Sequence, residues 1–507
     1  MTQIDETSCL SIQLKLHKDD LKYPAKTHAH KVKTELAAAD SSSSAGLIYL
    51  PGQNSAQFED TDGEKPFRQR RYAFYLSGAD FPGCAVTFDI ARDVLILWIP
   101  IRKPEQIIWF GALPSVEECA ARYDVDSVKD ITGLQTYLRG TLTANTTLYV
   151  LHESQTPPSP RGLASSFTVD HSALQPAMDL ARAVKSEFEI AQIREANWIS
   201  SEAHRHVQRH IKSLTSEAQV ENLFISKCRE LGAKKQAYPV IAGSGPNAAT
   251  LHYGANNQDF GDRQLMVLDA GAEYECYASD VTRTFPLNGA FSPEAKEVYA
   301  IVEEMQDACI SMIKPGASWT AITSKAQVVA LDGLKGLGII RPGPTGEEPI
   351  SILRAVRAFF MHGLGHLVGL DTHDVIGGVH IHSMLQGKER GLDMLDSRSG
   401  AGPSGRLFTG GHRAGDYQGG GDRSSTPLEK DMLITCEPGI YFNRAYVEWF
   451  LANNPDLAPY VDKTVLEKYY PVCGCRIEDC ILVTGDGYEN LTTAPKGEEM
   501  LRVINGN

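Results

Sequence analysis

Four acidic residues, Asp269, Asp280, Glu437 and Glu478, stand in apolar runs where an acid is out of place. Asp269 ends LMVLD, Asp280 lies within the alternating run CYASDVTRTF, Glu437 closes DMLITCE, and Glu478 interrupts CRIEDCILVT. A carboxylate among buried strand residues is costly unless a hydrogen bond, a partner charge or a cation compensates it. Strand interiors also disfavour Asp on their own account. Taken singly, an Asp at a strand end is explained by a turn or a cap; an acid inside a strand is not. Asp269 and Asp280 are 11 residues apart (280 − 269) across a glycine-containing turn, so antiparallel pairing can bring them face to face.

A second constraint is the stretch FFMHGLGHLVGLDTHD, residues 359–374, which sets His362, His366 and His373 among glycines and apolar spacers. Imidazole ligates metals through a neutral ring nitrogen and carries a proton near neutral pH, and the glycines let backbone and ligand approach closely. A lone HxxxH is ordinarily a solvated polar turn. The zinc-protease arrangement on a helix is ruled out here, because the intervening Glu is missing and glycines break the helix. His204, His206 and His210, by contrast, fall on a polar helical pattern and are expected to face solvent.

Composition narrows the function classes. Lys plus Arg total 49 against 63 Asp plus Glu, a net charge of −14, which disfavours nucleic acid or an anionic membrane as partner. Ten cysteines without regular spacing read as reduced thiols, and Cys473-x-Cys475 with Cys480 lacks the second pair that a metal knuckle requires. The first residues lack an uninterrupted apolar segment and nowhere do 18 apolar residues run together, so the expectation is a cytoplasmic protein without membrane spans. At 507 residues the chain calls for two or more domains.

Taken in order, YAFYLSG (72–78), GCAVTFDI (83–90), DVLILWIP (93–100) and TTLYVL (146–151) read as strands, and SVEECAARY (115–123) as a helix with a capping box from Ser115 to Glu118. The first 150 residues thus form an α/β layer domain. The Pro- and Ser-rich residues 152–172 read as a connection. Helices follow at KSEFEIAQIREANWISSEAHRHVQRHI, at 218–231, at 292–313 with Ser292 and Pro293 as its start, and at SWTAITSKAQVVALDGLKGLG. Residues 387–426 are glycine-rich, lack the elements of a phosphate loop, and are expected to be a lid or insertion.

Asp269, Asp280, His366, Glu437 and Glu478 together offer four carboxylates and one imidazole, a hard donor set. With two bridging carboxylates such a set holds a pair of divalent ions about 3.5–4 Å apart. Ligand hardness favours Mn2+, and Zn, Co or Fe can bind the same groups.

In the order LDAGAEYECYASDVTRTF, HGLGHLVGLDTHD, TCEPGIYF and RIEDCILVT, with GSGPNAATLHY before them, these segments resemble the aminopeptidase P and prolidase branch of the dinuclear-metal pita-bread peptidases. The likeness covers residues 185–507 strongly and the N-terminal part more loosely. It implies an α/β (α+β) chain: a creatinase-like N-terminal α/β domain with linker over 1–180, then a pita-bread catalytic domain over 181–507. It implies that Asp269 chelates one ion, that Asp280 and Glu478 bridge both, and that His366 and Glu437 complete the other. Two such cations acidify a water between them into the nucleophile, with Glu437 moving its proton to the leaving prolyl nitrogen. By the same resemblance His252, His362 and His373 line the substrate site, and Arg476 and Arg423 are the active-site arginines. The expected activity is that of a Xaa-Pro aminopeptidase acting on peptides with proline second, with a prolidase restricted to dipeptides as the alternative. A metal-free or non-catalytic member of the fold is the remote alternative, since such relatives lose ligands that this chain keeps. A homodimer or larger homo-oligomer is implied as well.

Overall fold

The computed structural model describes residues 22–39, 45–144, 146–157, 167–342, 349–375 and 427–506. The chain divides into two compact units, Met1–Arg182 and Ala183–Asn507.

The first unit contains helix α1 (Ala25–Ala39), β1 (Leu47–Pro51), α2 (Arg71–Tyr75), β2 (Ala85–Asp89), β3 (Val94–Ile99), α3 (Pro104–Phe110), α4 (Val116–Arg122), β4 (Ser127–Asp130), β5 (Thr147–Tyr149) and β6 (Thr168–Asp170). Its strands make a mixed sheet in the order β4-β3-β2-β1-β5-β6. The centre is antiparallel, and β4, β5 and β6 join it in parallel. Leu47, Ile96, Leu138 and Leu148 fill one face with Trp98, whose indole N–H donates to Thr87 Oγ1 at 2.9 Å and so stays satisfied in the core. The expected capping box at the start of α4 is present, Ser115 accepting from the Glu118 N–H. One expected strand is wrong. Residues 71–75 form helix α2, where consecutive Ala73, Phe74, Tyr75 and Leu76 are all buried, a pattern without the two-residue alternation of a half-exposed strand. Helix α3 buries none of its residues: Ile108 is 81% and Trp109 80% exposed.

The second unit begins with α5 (Glu187–His210) and α6 (Glu217–Glu230), then β7 (Lys235–Gln236), β8 (Ile241–Ser244), β9 (Leu265–Asp269), β10 (Ala272–Tyr274), β11 (Tyr277–Ala278) and β12 (Thr282–Pro286). Helices α7 (Pro293–Ile310) and α8 (Trp319–Gly336) follow, then β13 (Leu433–Cys436), β14 (Gly439–Tyr441), β15 (Gly474–Arg476), β16 (Asp479–Val483) and β17 (Tyr488–Asn490). The strands sort into small sheets ordered β11-β10-β7, β12-β9-β8, β13-β16-β17 and β14-β15. Apolar stripes of the helices, such as Ile199, Val207, Phe224, Val298 and Val302, pack with Met266, Leu268, Phe285 and Ile434 of the strands in one core. No helix among the described residues is long and apolar enough to cross a membrane.

Asp269 is the last residue of β9, as expected, whereas Asp280 and Glu478 do not sit inside strands, contrary to the expectation for them. Each of the four acids occupies a break where the chain leaves one sheet for another. Asp269 closes β9 before β10, Asp280 lies between β11 and β12, Glu437 between β13 and β14, and Glu478 between β15 and β16. At such a break the side chain leaves the alternation of the ladder and turns into the gap between sheets. The sheets are tied together behind these breaks by Arg283, whose side chain is 1% exposed and pairs with Asp479 (2.7 Å) while donating to the carbonyls of Thr282, Glu478 and Ala494. Arg283→Ala would leave the buried Asp479 carboxylate with only the Asn490 amide at hydrogen-bond distance and Lys496 at 3.9 Å among the described residues. It should lower the unfolding free energy by about 3–5 kcal/mol in urea titrations, whereas a surface arginine replaced in the same way should change it little.

Candidate metal centre

Asp269 and Asp280 are brought together by the β9–β12 pairing, in which Asp269 is opposite Thr282, two residues beyond Asp280. Thr282 also bridges to Glu478, whose N–H donates to the Thr282 carbonyl (3.0 Å) and whose Oε2 accepts from Thr282 Oγ1 (2.7 Å). On the other side, Thr435 of β13 donates its N–H to His366 O (2.8 Å) and accepts the His366 N–H on Oγ1 (3.0 Å). That close pairing requires Gly365, because a Cβ there would overlap the Thr435 carbonyl oxygen. Each ligand candidate is therefore placed by backbone bonds of its own strand break.

The convergence is tight. Ligand atoms of Asp269, Asp280 and Glu478 lie within 4.8 Å of one another, as do those of His366, Glu437 and Glu478, and those of Asp280, His366 and His373. Asp280, Glu478 and His366 each belong to two of these groups, which therefore adjoin; of the three, the two carboxylates have the second oxygen that a bridging ligand requires. The third group adds His373, expected only as a substrate residue, at ligating distance from His366 and Asp280. Its ring stands edge-on to His366 with centroids 4.3 Å apart.

Electrostatics show what the cluster lacks. His366 Nδ1 faces the Leu367 carbonyl at 3.0 Å, which can only accept, so Nδ1 carries the proton. Nε2 is then left facing Asp280 Oδ2 at 3.4 Å and Glu437 Oε1 at 3.3 Å, an acceptor between acceptors unless a proton or a cation stands there. Burial works against charging His366, yet the hydrogen bond to Asp280 and the charge of Glu437 lift its pKa to about 9. Burial pushes the Glu437 carboxyl up to about 7 and the Glu478 carboxyl well above the usual range, Asp280 adding to both. Asp269 is raised by burial against the opposing pull of Arg476, whose Nη2 donates to Oδ2 at 2.6 Å. Its other oxygen, Oδ1, is buried without a hydrogen-bond partner among the described residues. An orphaned oxygen, a lone pair aimed at two carboxylates, and acids pushed toward protonation by burial and then by one another all fit a divalent ion, with oxygen donors for a hard one.

Around the cluster, Arg476 Nη1 donates to the Tyr441 hydroxyl (2.7 Å), which lies 2.9 Å from His362 Nε2. His362 Nδ1 donates to the Gly363 carbonyl at 2.7 Å. Burial, then the Arg476 charge, depresses the His362 pKa to about 3, so this ring is neutral and accepts from Tyr441. The charge of His366 together with burial holds His373 down at about 4. His252 is exposed, yet its ring is close enough to His362 and His373 to contribute to both depressions. Arg423 and the glycine-rich segment 387–426 lie outside the described residues.

Three features escaped the reading of the sequence. Tyr441 and Tyr238 both face the cluster, Tyr238 near enough to Asp269, Asp280 and Glu478 that, after burial, their charges raise its pKa further. A tyrosine in an apolar run reads as packing, and nothing local marks its hydroxyl. His204 is the third: it is fully buried, not solvated, with Nε2 on the Ala270 carbonyl at 3.0 Å and the ring edge-on to Phe224. Burial lowers its pKa to about 3, so it buttresses the residue after Asp269 as a neutral ring.

Fold and donor set together define a divalent-metal hydrolase of the pita-bread class. Residues 191–485 match the model of metallopeptidase family M24, and residues 28–149 match that of the aminopeptidase P N-terminal domain. The chain belongs to metallopeptidase family M24. A probable Xaa-Pro aminopeptidase of Metarhizium robertsii is 47% identical over 99% of this chain and 97% of its own length. Another, of Metarhizium acridum, is 46% identical over 99% and 98%. Among solved structures, Escherichia coli aminopeptidase P with the inhibitor Pro-Leu superposes with a TM-score of 0.74 at 25% identity, covering 96% of this chain and 99% of that one.

The protonation of the cluster predicts how metal loading responds to pH. With Glu437 near 7 and His366 near 9, a divalent ion must displace protons to bind. The affinity of metal-stripped protein for Mn2+ should therefore rise between pH 6 and pH 8 (chosen to span about the Glu437 value). Calorimetry in buffers of different ionisation enthalpy should register net proton release; uptake, or no exchange, would contradict it.

Proposed function

We propose that this protein is a metal-dependent Xaa-Pro aminopeptidase that removes the N-terminal residue of peptides whose second residue is proline. The observation that carries the reading is the convergence of Asp269, Asp280, His366, Glu437 and Glu478 into adjoining ligand groups, in a chain whose full-length relatives bear that name. In this reading Asp269 holds one of two ions, Asp280 and Glu478 hold both, and His366 and Glu437 hold the other, with Mn2+ the best match to so hard a set and Zn, Co or Fe able to occupy it. When bound, such a pair acidifies water and polarises the scissile carbonyl.

The protein's own groups do the rest. Arg476 opposes the effect of burial on Asp269 and orients its carboxylate, and through Tyr441 it fixes the ring plane of His362. Glu437 is less buried than Glu478 and sits at the rim of the cluster, where it can accept a proton and release it to the departing prolyl nitrogen. His362 and His373 line the substrate site beside the carbonyl groups of the peptide, and His252 shapes the proline pocket. Proline is selected because the Xaa-Pro amide has no N–H and a fixed φ, so a site that does not dock a backbone donor loses nothing with it. The acidic cluster suits a free α-amino group.

Activity on a Xaa-Pro-Xaa tripeptide and on Gly-Pro, each with added Mn2+, tests the reading. Tripeptide turnover is expected, and turnover of the dipeptide alone would make the protein a prolidase. Asp280→Ala should abolish turnover and reduce bound metal together. His362→Ala should cut kcat by about 100-fold with metal content unchanged in elemental analysis.

The apolar surface of α3, where Ile108 and Trp109 face solvent, supports a homodimer or larger assembly of this chain. Light scattering should give a multiple of the 55.5 kDa chain mass, and Ile108→Asp combined with Trp109→Ser should shift it toward monomer. The free, buried cysteines of the described residues and the net charge of −14 accord with a cytoplasmic protein that binds neither nucleic acid nor membrane.

A further inference from the structure

The segment 244–263, which carries His252, is held by one buried carboxylate. Glu217, the first residue of α6, is 0% exposed. Its Oε1 accepts from the Ser244 N–H (2.8 Å), Ser244 Oγ (2.7 Å), Asn247 Nδ2 (2.9 Å) and Arg263 Nη1 (3.4 Å). Its Oε2 accepts from the Tyr253 hydroxyl (2.7 Å) and the Gln258 N–H (3.0 Å), and its own N–H donates to the Gln258 carbonyl. Burial alone would raise this carboxyl, but the donors from Asn247, Ser244 and Tyr253 outweigh it and lower its pKa, so each bond is charge-assisted.

Other anchors lie away from His252: Ala248 and Ala249 enter a small apolar cluster, Phe260 enters the main core, and the buried Asn256 bonds Ala242 and Val240, while His252, Gly254 and Ala255 are exposed. An apolar plug would tolerate several loop conformers; a carboxylate gripping five residues along one loop specifies a single one. The Tyr253 bond fixes the residue next to His252, whose charge bears on His362 and His373 in the site.

We propose that Glu217 is a positioning residue for peptide hydrolysis: through Tyr253 it orients His252 toward the substrate without touching the metal ligands. The proposal rests on the reading of His252 as a substrate-facing residue.

The test is a mutant cycle on the full-length, Mn2+-loaded protein, with a Xaa-Pro-Xaa tripeptide as substrate and metal content measured in parallel. Its members are Glu217→Gln, Tyr253→Phe, His252→Ala and the double variants with His252→Ala. Glu217→Gln and His252→Ala should each lower kcat/KM by about 10- to 100-fold, with bound metal unchanged. Tyr253→Phe should lower it less. The double variants should be no worse than His252→Ala alone, because both changes remove the same oriented ring. Multiplying losses, or loss of metal in Glu217→Gln, would overturn the proposal by showing a general structural role. If Glu217→Gln does not fold, Tyr253→Phe in the same cycle decides by the same criterion. Wild-type kcat/KM in His252→Ala would refute the substrate-facing role itself, an outcome separate from a failed cycle.

Discussion

Mutual repulsion among buried carboxylates governs the second unit. Asp269, Asp280, Glu437 and Glu478 crowd into one gap, and among the described residues Arg476 and His366 bring the compensating positive charge into direct contact with them. Two cations cannot balance four acids in a medium of low dielectric, so some of the acids are pushed toward protonation. A protein that evolved merely to fold would not retain such a cluster. One that retains divalent ions gains from it, because the repulsion disappears on binding, and metal affinity and proton release become one equilibrium.

The cluster exists because the sheets are short and broken. Each acid stands where the chain passes from one small sheet to another, so its backbone is fixed by a ladder on one side while its side chain is free of the alternation. Behind the breaks, α5 supplies the rigidity. Its Ser200 accepts the Ala272 N–H and meets Ser279 Oγ, one residue before Asp280, and its His204 holds the carbonyl after Asp269. On the far side of Asp280, Cys480 exchanges backbone contacts with it, donating to its carbonyl and accepting its N–H. The precision of a ligand set a few ångströms across thus comes from elements that never touch the metal.

The histidines show how environment divides one residue type among roles. His366, between carboxylates, is driven toward the positive form, whereas His362, beside Arg476, and His204, in the core, are driven to the neutral one. His373 takes its low pKa from His366. Nothing in the residues adjacent to each ring distinguishes these cases; the partners come from chain segments up to about a hundred residues away and more.

Local physics was enough for much of the architecture. Apolar periodicity and the Ser115 and Ser292 caps mark helices that the structure contains, and the acids in apolar runs announce a cluster before any coordinate is known. It was insufficient where burial decides. Residues 71–75 form a helix where a short apolar run reads equally well as a buried strand, and His204 turns inward because Phe224 and the Ala270 carbonyl are there to receive it. The chain alone determined which chemical groups are available and roughly which segments are helical or extended, since those depend on neighbours in sequence. Only the tertiary structure decided that the acids fall at sheet crossings, that Tyr238 and Tyr441 join them, and that Glu217 grips the His252 loop, because each of these is a contact between residues that share no local pattern.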